Sequence, residues 1–371
     1  MSLLLNEDQI IEGEIYSCHA FNIGRFINLS EILEKFSEGQ RLFGYRRSPK
    51  ATRQFFKELE LIGLEKTTPA EEIFNQSSFN SKAVLLPHYR IAVDSSGAIS
   101  VRQIISFKST LNDLIKLSDY LYDNPLLLKR AREISADFAK GFNSFIKEAD
   151  DYTDYEDYLI FWCKSPILEN AEEVLLGDFK TASSVAQVLR CEAEPLSKSQ
   201  IKDSLLLNIS YYQQDLVIVD WAASLVWGSN MQDSIDIIET VNLISEKLNW
   251  FEDKLDSILA GFRTQLQQKR SLKKVLWEII RINTSFTEQL GKIKSRAEVM
   301  GDYYYSKLFQ LVDKRTYLSE TLESNVNAKL KEIAELVSTT SNIVQEQTDI
   351  RLTWAITILI AVEILIMLFH G

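Results

Sequence analysis

Apolar and polar positions in the first half of the chain follow the two-residue period of strands. Residues 9–21 are rich in β-branched and aromatic side chains, which is typical of a strand. Segments 83–94 and 98–107 flank Ser95-Ser96-Gly97 and predict a β-hairpin. Helical patterns follow near 109–149. We therefore predict an α+β head at the start of the chain.

The acidic run EADDYTDYED at 148–157 divides this predicted head. It carries six acids in ten residues, which is typical of a solvated linker. Beyond it, YLIFW at 158–162 and the consecutive apolar residues near 205–227 predict further strands, the latter buried on both faces. We predict an N-terminal α+β unit at 1–149 and a second β-rich part of the head at 150–228.

Helix-forming residues dominate from 229 to 351, where the chain has no proline. Apolar residues recur three and four positions apart over about four heptads, the spacing of a coiled-coil or helix-hairpin seam. The pattern predicts a long helical coiled-coil stalk. Its seam consists of Ile237, Val241, Ile244, Leu248, Phe251, Leu255, Ile258 and Phe262.

The most apolar segment, LTWAITILIAVEILIMLF at 352–369, predicts one C-terminal transmembrane helix. At 1.5 Å per residue it is about 27 Å long, close to the roughly 30 Å of a bilayer core. Trp354 and Arg351 would then be interfacial anchors. The expected location is a single-pass membrane protein with its large N-terminal part in the cytoplasm; a buried core helix is the alternative.

Glu363 interrupts this apolar segment, where an ionised carboxylate is costly. It could make a polar contact between helices of a homo-oligomer, snorkel to the far interface or line a pore as a ring. Thr357, six residues away, lies off the rows that bring helical side chains together. Glu363 and Thr357 are therefore the candidate polar residues of the membrane helix.

Composition and charge exclude several classes of protein. The 371 residues are 46% hydrophobic and 25% charged with a net charge of −11, so the chain can bury a core but is not basic overall. Cys18, Cys163 and Cys191 are far apart, without a Cys-x-x-Cys pair, which argues against disulfides and structural zinc. Phosphate-loop, dinucleotide and nucleophile-elbow motifs are missing from the sequence. We expect no enzyme activity, cofactor or metal.

Adjacent Cys18 and His19 could suggest a thiolate with its base, but neighbours on a strand point to opposite faces. Paired acids such as Asp150-Asp151 and Glu172-Glu173 are more typical of solvated faces than of metal ligands.

A basic segment stands out in this acidic chain. Residues 41–57, RLFGYRRSPKATRQFFK, contain six basic residues interleaved with aromatic ones and no acid. Such a segment can bind RNA or anionic lipid, or it can be a basic loop whose aromatic residues belong to the core. The candidate patch for an anionic ligand is Arg41, Tyr45, Arg46, Arg47, Lys50, Arg53 and Lys57.

About the last 165 residues resemble the required-for-meiotic-nuclear-division family. The resemblance rests on DLVIVDW at 215–221, GDYY at 301–304, RLTW at 351–354 and ILIAVEI at 358–364. It implies a soluble α+β domain, a coiled-coil stalk, one C-terminal membrane helix and oligomerisation, with mitochondrial members tied to translation. It implies no enzyme activity.

Two functions remain open from the sequence. The first is a tail-anchored, self-associating membrane scaffold whose head recruits a protein partner, RNA or a ribosome-associated complex. The alternative is an oligomeric ion-conducting protein with a helix bundle lined near Glu363. A carboxylate metal enzyme has no motif in its favour.

Overall fold

Strands within residues 11–227 form a mixed β-sheet with helices packed against it in the structure, a computed structural model. It describes residues 8–23, 62–67, 71–76, 81–93, 97–141, 154–268, 303–316 and 324–335, the pairs 26–27, 146–147 and 280–281, and positions 5, 284, 338 and 357.

The described strands form a nine-stranded sheet and a separate two-stranded one. The order in the large sheet is β3-β5-β6-β1-β8-β11-β10-β9, and β4 also pairs with β5; β2 pairs with β7. The strands are β1 Ile11–Asn22, β2 Phe26–Ile27, β3 Ile62–Thr67, β4 Glu71–Gln76, β5 Ser81–Val93, β6 Ala98–Ser109, β7 Ile146–Lys147, β8 Glu156–Ser165, β9 Asn208–Ile209, β10 Leu216–Val219 and β11 Ala223–Trp227.

Strand β1 is central in this topology. It pairs antiparallel with both β6 and β8, while β8 pairs parallel with β11, which makes the sheet mixed. The sheet thus contains strands from both sides of residue 150. The predicted strand at 9–21, the hairpin formed by β5 and β6, and the strand at 158–162 are confirmed.

Helices of the described part flank the sheet. Ser, Thr, Asp and Asn residues cap several of them: for example, Thr110 accepts a hydrogen bond from the Asp113 amide at the start of α1. The helices are α1 Leu111–Leu121, α2 Pro125–Gly141, α3 Ala171–Leu176, α4 Phe179–Arg190, α5 Lys198–Ser204, α6 Gln232–Gln268 and α7 Tyr303–Thr316; residues 324–335 are also helical.

The two faces of the sheet meet different helices. On β6, Gln103 donates to the carbonyl of Leu127 in α2, whereas its neighbour Arg102 binds Asp236 in α6. Because successive side chains of a strand alternate, α2 and α6 lie on opposite faces. The main apolar core lies on the α2 face, where β1, β6, β8, β10 and β11 pack against α1, α3 and α4.

The prediction of a coiled-coil stalk is wrong. The predicted fold class of an α+β head, a stalk and a membrane anchor is therefore wrong as well. Polar residues in the first half of α6 are buried as fully as its apolar ones, whereas a coiled coil keeps its outer positions solvated. The sheet supplies opposite charges for some of them, so this half of α6 is an internal helix of a mixed α/β fold. The buried polar residues are Ser234, Asp236, Glu239, Thr240, Asn242, Ser245, Glu246 and Lys247.

The predicted membrane anchor is also corrected. In the part of the chain that the structure describes, no helix combines the length and the apolar character needed to cross a bilayer. This overturns the transmembrane helix and the single-pass location. Segment 352–369 lies outside the described residues except Thr357, which is helical and exposed.

The chain divides into two compact units. The first comprises Met1–Trp250 and Glu288–Leu322 and contains the sheet, helices α1 to α5, the first half of α6, and α7. The second comprises Phe251–Thr287 and Glu323–Gly371. Within the second unit, Lys329 Nζ lies 2.8 Å from Glu252 Oε1 and 2.7 Å from Asp256 Oδ2.

Candidate functional site: a tyrosine-lined pocket

A pocket lies in the first unit where β11 ends and α6 begins. Gly228 follows β11 with a φ of +134°, a conformation that L side chains rarely adopt. Its amide donates to the carbonyl of Cys163 at 3.1 Å, and its carbonyl accepts from Trp162 Nε1 at 2.7 Å. These bonds to β8 fix the first wall of the pocket, residues 228–231.

The loop before β10 forms the second wall. The Asp215 carboxylate accepts hydrogen bonds from the backbone amides of Tyr211 and Tyr212, at 2.7 and 3.1 Å. Asp215 is 7% exposed, whereas the two tyrosine side chains are 59% and 69% exposed. The carboxylate therefore folds the loop and presents both phenol rings at the surface.

Helix α7 supplies the third wall through Tyr304 and Tyr305. Ring centroids lie 4.7 Å apart for Tyr211 and Tyr212, 5.4 Å for Tyr211 and Tyr304, and 5.2 Å for Tyr304 and Tyr305. The corresponding interplanar angles are 75°, 85° and 73°, so each ring stands edge-on to the next. The four rings thus form a chain of near-perpendicular contacts.

The cavity has a volume of about 390 Å³, within the range of small-ligand pockets. Besides the four tyrosines, the described residues that line it are Gly228, neutral polar side chains, Met231 and one charged group, the Asp215 carboxylate. The neutral polar lining side chains are Gln214, Ser229, Asn230 and Ser234.

An ion-pair network holds α7 in place. Arg315, on α7, binds the fully buried carboxylate of Asp220 in the turn after β10, with Nε at 2.7 Å from Oδ1. Arg190 of α4 binds the other oxygen of Asp220 at 2.7 Å, and Ser204 of α5 donates to it as well. The network therefore ties the helix that carries Tyr304 to the turn between β10 and β11.

A second network lies under α6 and is called the Arg102 cluster below. Arg102 Nη2 and Arg90 Nη1 each lie 2.6 Å from Asp236 Oδ1, and Arg102 also binds Glu239. Ser100 Oγ donates to Glu239 at 2.9 Å. Burial by itself would raise the pKa of Asp236, but the two guanidiniums lower it below its usual value. Two cations and two anions balance, as a structural cluster requires.

The three thiols and the imidazole of His19 are buried and do not line the pocket. Burial raises the pKa of the Cys18, Cys163 and Cys191 thiols. Burial and the charge of Arg132 lower the pKa of His19 to about 4. Cys18 and His19 occupy opposite faces of β1, as predicted, since each is paired in register with both neighbouring strands.

None of the described site residues expected from the sequence lines this pocket. The basic patch at 41–57 and the membrane residues Arg351, Trp354 and Glu363 lie outside the described residues. Ile258 and Phe262 are helical residues of α6. The other seam residues are buried: Ile237, Val241, Ile244, Leu248, Phe251 and Leu255. Among the described residues, no group of three or more His, Cys, Asp or Glu side chains could hold a metal ion.

The sequence reasoning missed the tyrosine cluster. Its signal was present in two runs, Tyr211-Tyr212 and Tyr303-Tyr304-Tyr305, which hold five of the 14 tyrosines. Nothing local indicates that two runs about 90 residues apart meet.

Comparison with known proteins gives a family. Residues 12–234 match the family model described as "Uncharacterized protein MJ0711, N-terminal domain", which is more than half of the chain. The chain belongs to this family. Uncharacterized protein MJ0711 of Methanocaldococcus jannaschii is 27% identical over 192 residues, covering 50% of this chain and 59% of the relative. The match thus spans less than two thirds of the relative's length.

The MJ0711 N-terminal domain match covers most of the sheet and two walls of the pocket, at 211–215 and 228–234. The third wall, on α7, lies beyond it. No solved structure gives a significant match to the chain. These matches do not bear on the resemblance to the required-for-meiotic-nuclear-division family, which stays a prediction.

Proposed function

We propose that this protein is a non-enzymatic binding protein that recruits its partner through the tyrosine-lined pocket. The observation that carries the proposal is the chain of four perpendicular tyrosine rings around a 390 Å³ cavity. Tyrosine is enriched among the residues that contribute most to binding, because its ring provides a large rigid contact and its hydroxyl a hydrogen bond.

The exposure of the rim supports the same proposal. Tyr211, Tyr212 and Tyr303 are 59%, 69% and 83% exposed, and they lie in the two runs that build the pocket. Exposed apolar area that is clustered, instead of scattered singly, is characteristic of interaction sites. Burying these rings against a partner would remove that area from water.

The chemistry of the pocket favours binding over catalysis. General acid or base catalysis needs a positioned group whose pKa is tuned to its task, within hydrogen-bond reach of the substrate. Asp215, the one charged group among the described lining residues, already accepts two backbone hydrogen bonds that shape the loop. These hydrogen bonds have a structural role. The Asp215 carboxylate also provides a negative charge at the pocket for recognition.

A defined probe panel tests the proposal by ligand-observed NMR on the full chain. The probes are choline, adenosine and inorganic phosphate, which represent a cation, a neutral aromatic and an anion. We expect at least one probe to bind the wild-type protein and to lose that binding in Tyr211→Ala/Tyr212→Ala. Both side chains are exposed, so the fold should survive.

Tyr120→Ala is the matched control, because Tyr120 is a 41% exposed tyrosine on α1 that does not line the pocket. It should bind like the wild type. If all three probes fail to bind, or bind equally to the double variant, the proposed function is wrong.

A further inference from the structure

We propose that the ligand of this pocket is an alkylammonium cation, held by the tyrosine rings as an aromatic cage with Asp215 as its counter-charge. The inference rests on the proposed function and names the chemical class of its ligand. It covers a free quaternary ammonium compound and a methylated lysine side chain, which share the same head group.

Ring geometry is the first argument. The face of an aromatic ring carries a partial negative potential and attracts a cation within about 6 Å of the centroid. In a flat stack, neighbouring rings cover one another's faces. Here successive ring planes differ by 73° to 85°, and an edge-to-face contact covers a face of only one of its two rings, so more ring faces stay uncovered by the other rings than in a flat stack.

Charge is the second argument. Among the described residues, the lining has no Lys, Arg or His, and its one charged side chain is the Asp215 carboxylate. A carboxylate offers about four acceptor positions, and the amides of Tyr211 and Tyr212 use two of them. A phosphate or carboxylate ligand would be repelled by Asp215, whereas a cation would be attracted.

The starts of α6 and α7 work in the opposite direction but are weaker. A helix N-terminus carries about half a positive charge, and the pocket contacts two of them, α6 through Ser234 and α7 through Tyr304 and Tyr305. Asp215 carries a full negative charge, and Asp233 adds an acid to the first turn of α6. The balance at the pocket therefore stays negative and favours a cation.

Alkylation of the ammonium is the third element. The walls are aromatic rings, Met231 and neutral polar groups, which match the methyl groups of an alkylated head better than a strongly hydrated inorganic ion. Recognition of quaternary ammonium groups by such aromatic walls is a known use of cation–π attraction.

The test compares choline with 3,3-dimethylbutan-1-ol, which has the same shape without the charge, by calorimetric titration of the full chain. We expect choline to bind about tenfold more tightly. Tyr212→Leu should weaken choline binding about tenfold, and Tyr120→Leu should leave it unchanged. Asp215→Asn should narrow the difference between the two affinities, and the tyrosine rings should keep the remainder. Near-UV circular dichroism checks that each variant is folded. If Asp215→Asn does not fold, Tyr212→Leu still tests the proposal.

The outcomes separate this inference from the proposed function. If choline and its neutral analogue bind equally, or adenosine alone binds, the cation inference is wrong while the pocket remains a binding site. If neither these probes nor inorganic phosphate binds, both are wrong. A peptide with trimethyl-lysine that binds more tightly than choline would identify a protein as the source of the cation, and equal binding would favour a small molecule.

Discussion

Replacing Arg102 by methionine should test whether the Arg102 cluster holds α6 against the sheet. Arg102 is buried and binds both Asp236 and Glu239, while the mostly buried Arg90 binds Asp236. Arg102→Met keeps much of the side-chain volume but removes one of two positive charges. The cluster then holds two buried carboxylates and one guanidinium, so one negative charge lacks compensation.

The expected cost is large because the remaining charge stays buried. Breaking a buried ion pair by removing one partner typically destabilises a protein by about 3–5 kcal/mol. A domain is commonly stable by only about 5–15 kcal/mol, so this loss would be a large fraction of the total. Removing a matching negative charge should recover part of it: Arg102→Met/Glu239→Gln leaves Arg90 opposite Asp236 and keeps an acceptor for Ser100.

Urea denaturation followed by circular dichroism gives the free energy of unfolding of the wild type, both single variants and the double variant. We expect the double variant to be more stable than the sum of the single effects by about 1–3 kcal/mol, since the residues are in contact. The reasoning is refuted if Arg102→Met costs less than about 1 kcal/mol, or if the two substitutions are additive. Lys108→Met, which removes an exposed partner of Glu12, is the control and should cost under about 1 kcal/mol.

Two further predictions concern buried titratable groups, the imidazole of His19 and the three cysteine thiols. The folded pKa of His19 is about 4 against an ordinary 6.5, so between these values the unfolded chain binds a proton that the folded chain does not. His19 should not reduce the free energy of unfolding above about pH 6.5, and it should reduce it by up to about 1.4 kcal/mol per pH unit towards pH 4. Denaturation at pH 7.5 and pH 5 measures this fall. The fall should be smaller in His19→Phe than in the wild type, and an equal fall in both would contradict the prediction. Cys18, Cys163 and Cys191 are buried with raised thiol pKa values, so a thiol reagent should modify them only after denaturation, and rapid labelling of the folded protein would count against the structure.

The sequence alone determined the elements whose signal is local. Strand β1, the hairpin of β5 and β6, and strand β8 all follow from alternation or runs of β-branched and aromatic residues. The separation of Cys18 from His19 follows from the same two-residue period. These features depend on neighbours within a few residues, which is the range over which a sequence pattern is informative.

Only the tertiary structure decided the role of α6 and the existence of the pocket. The apolar spacing from Ile237 onward fits a solvated coiled coil and an internal helix equally well. The choice depends on whether polar residues such as Asp236 find buried partners, and its partner Arg102 is 134 positions away in the chain. The tyrosine runs likewise meet because Arg315 anchors α7 to Asp220, 95 positions away in the chain, a contact that no local periodicity encodes.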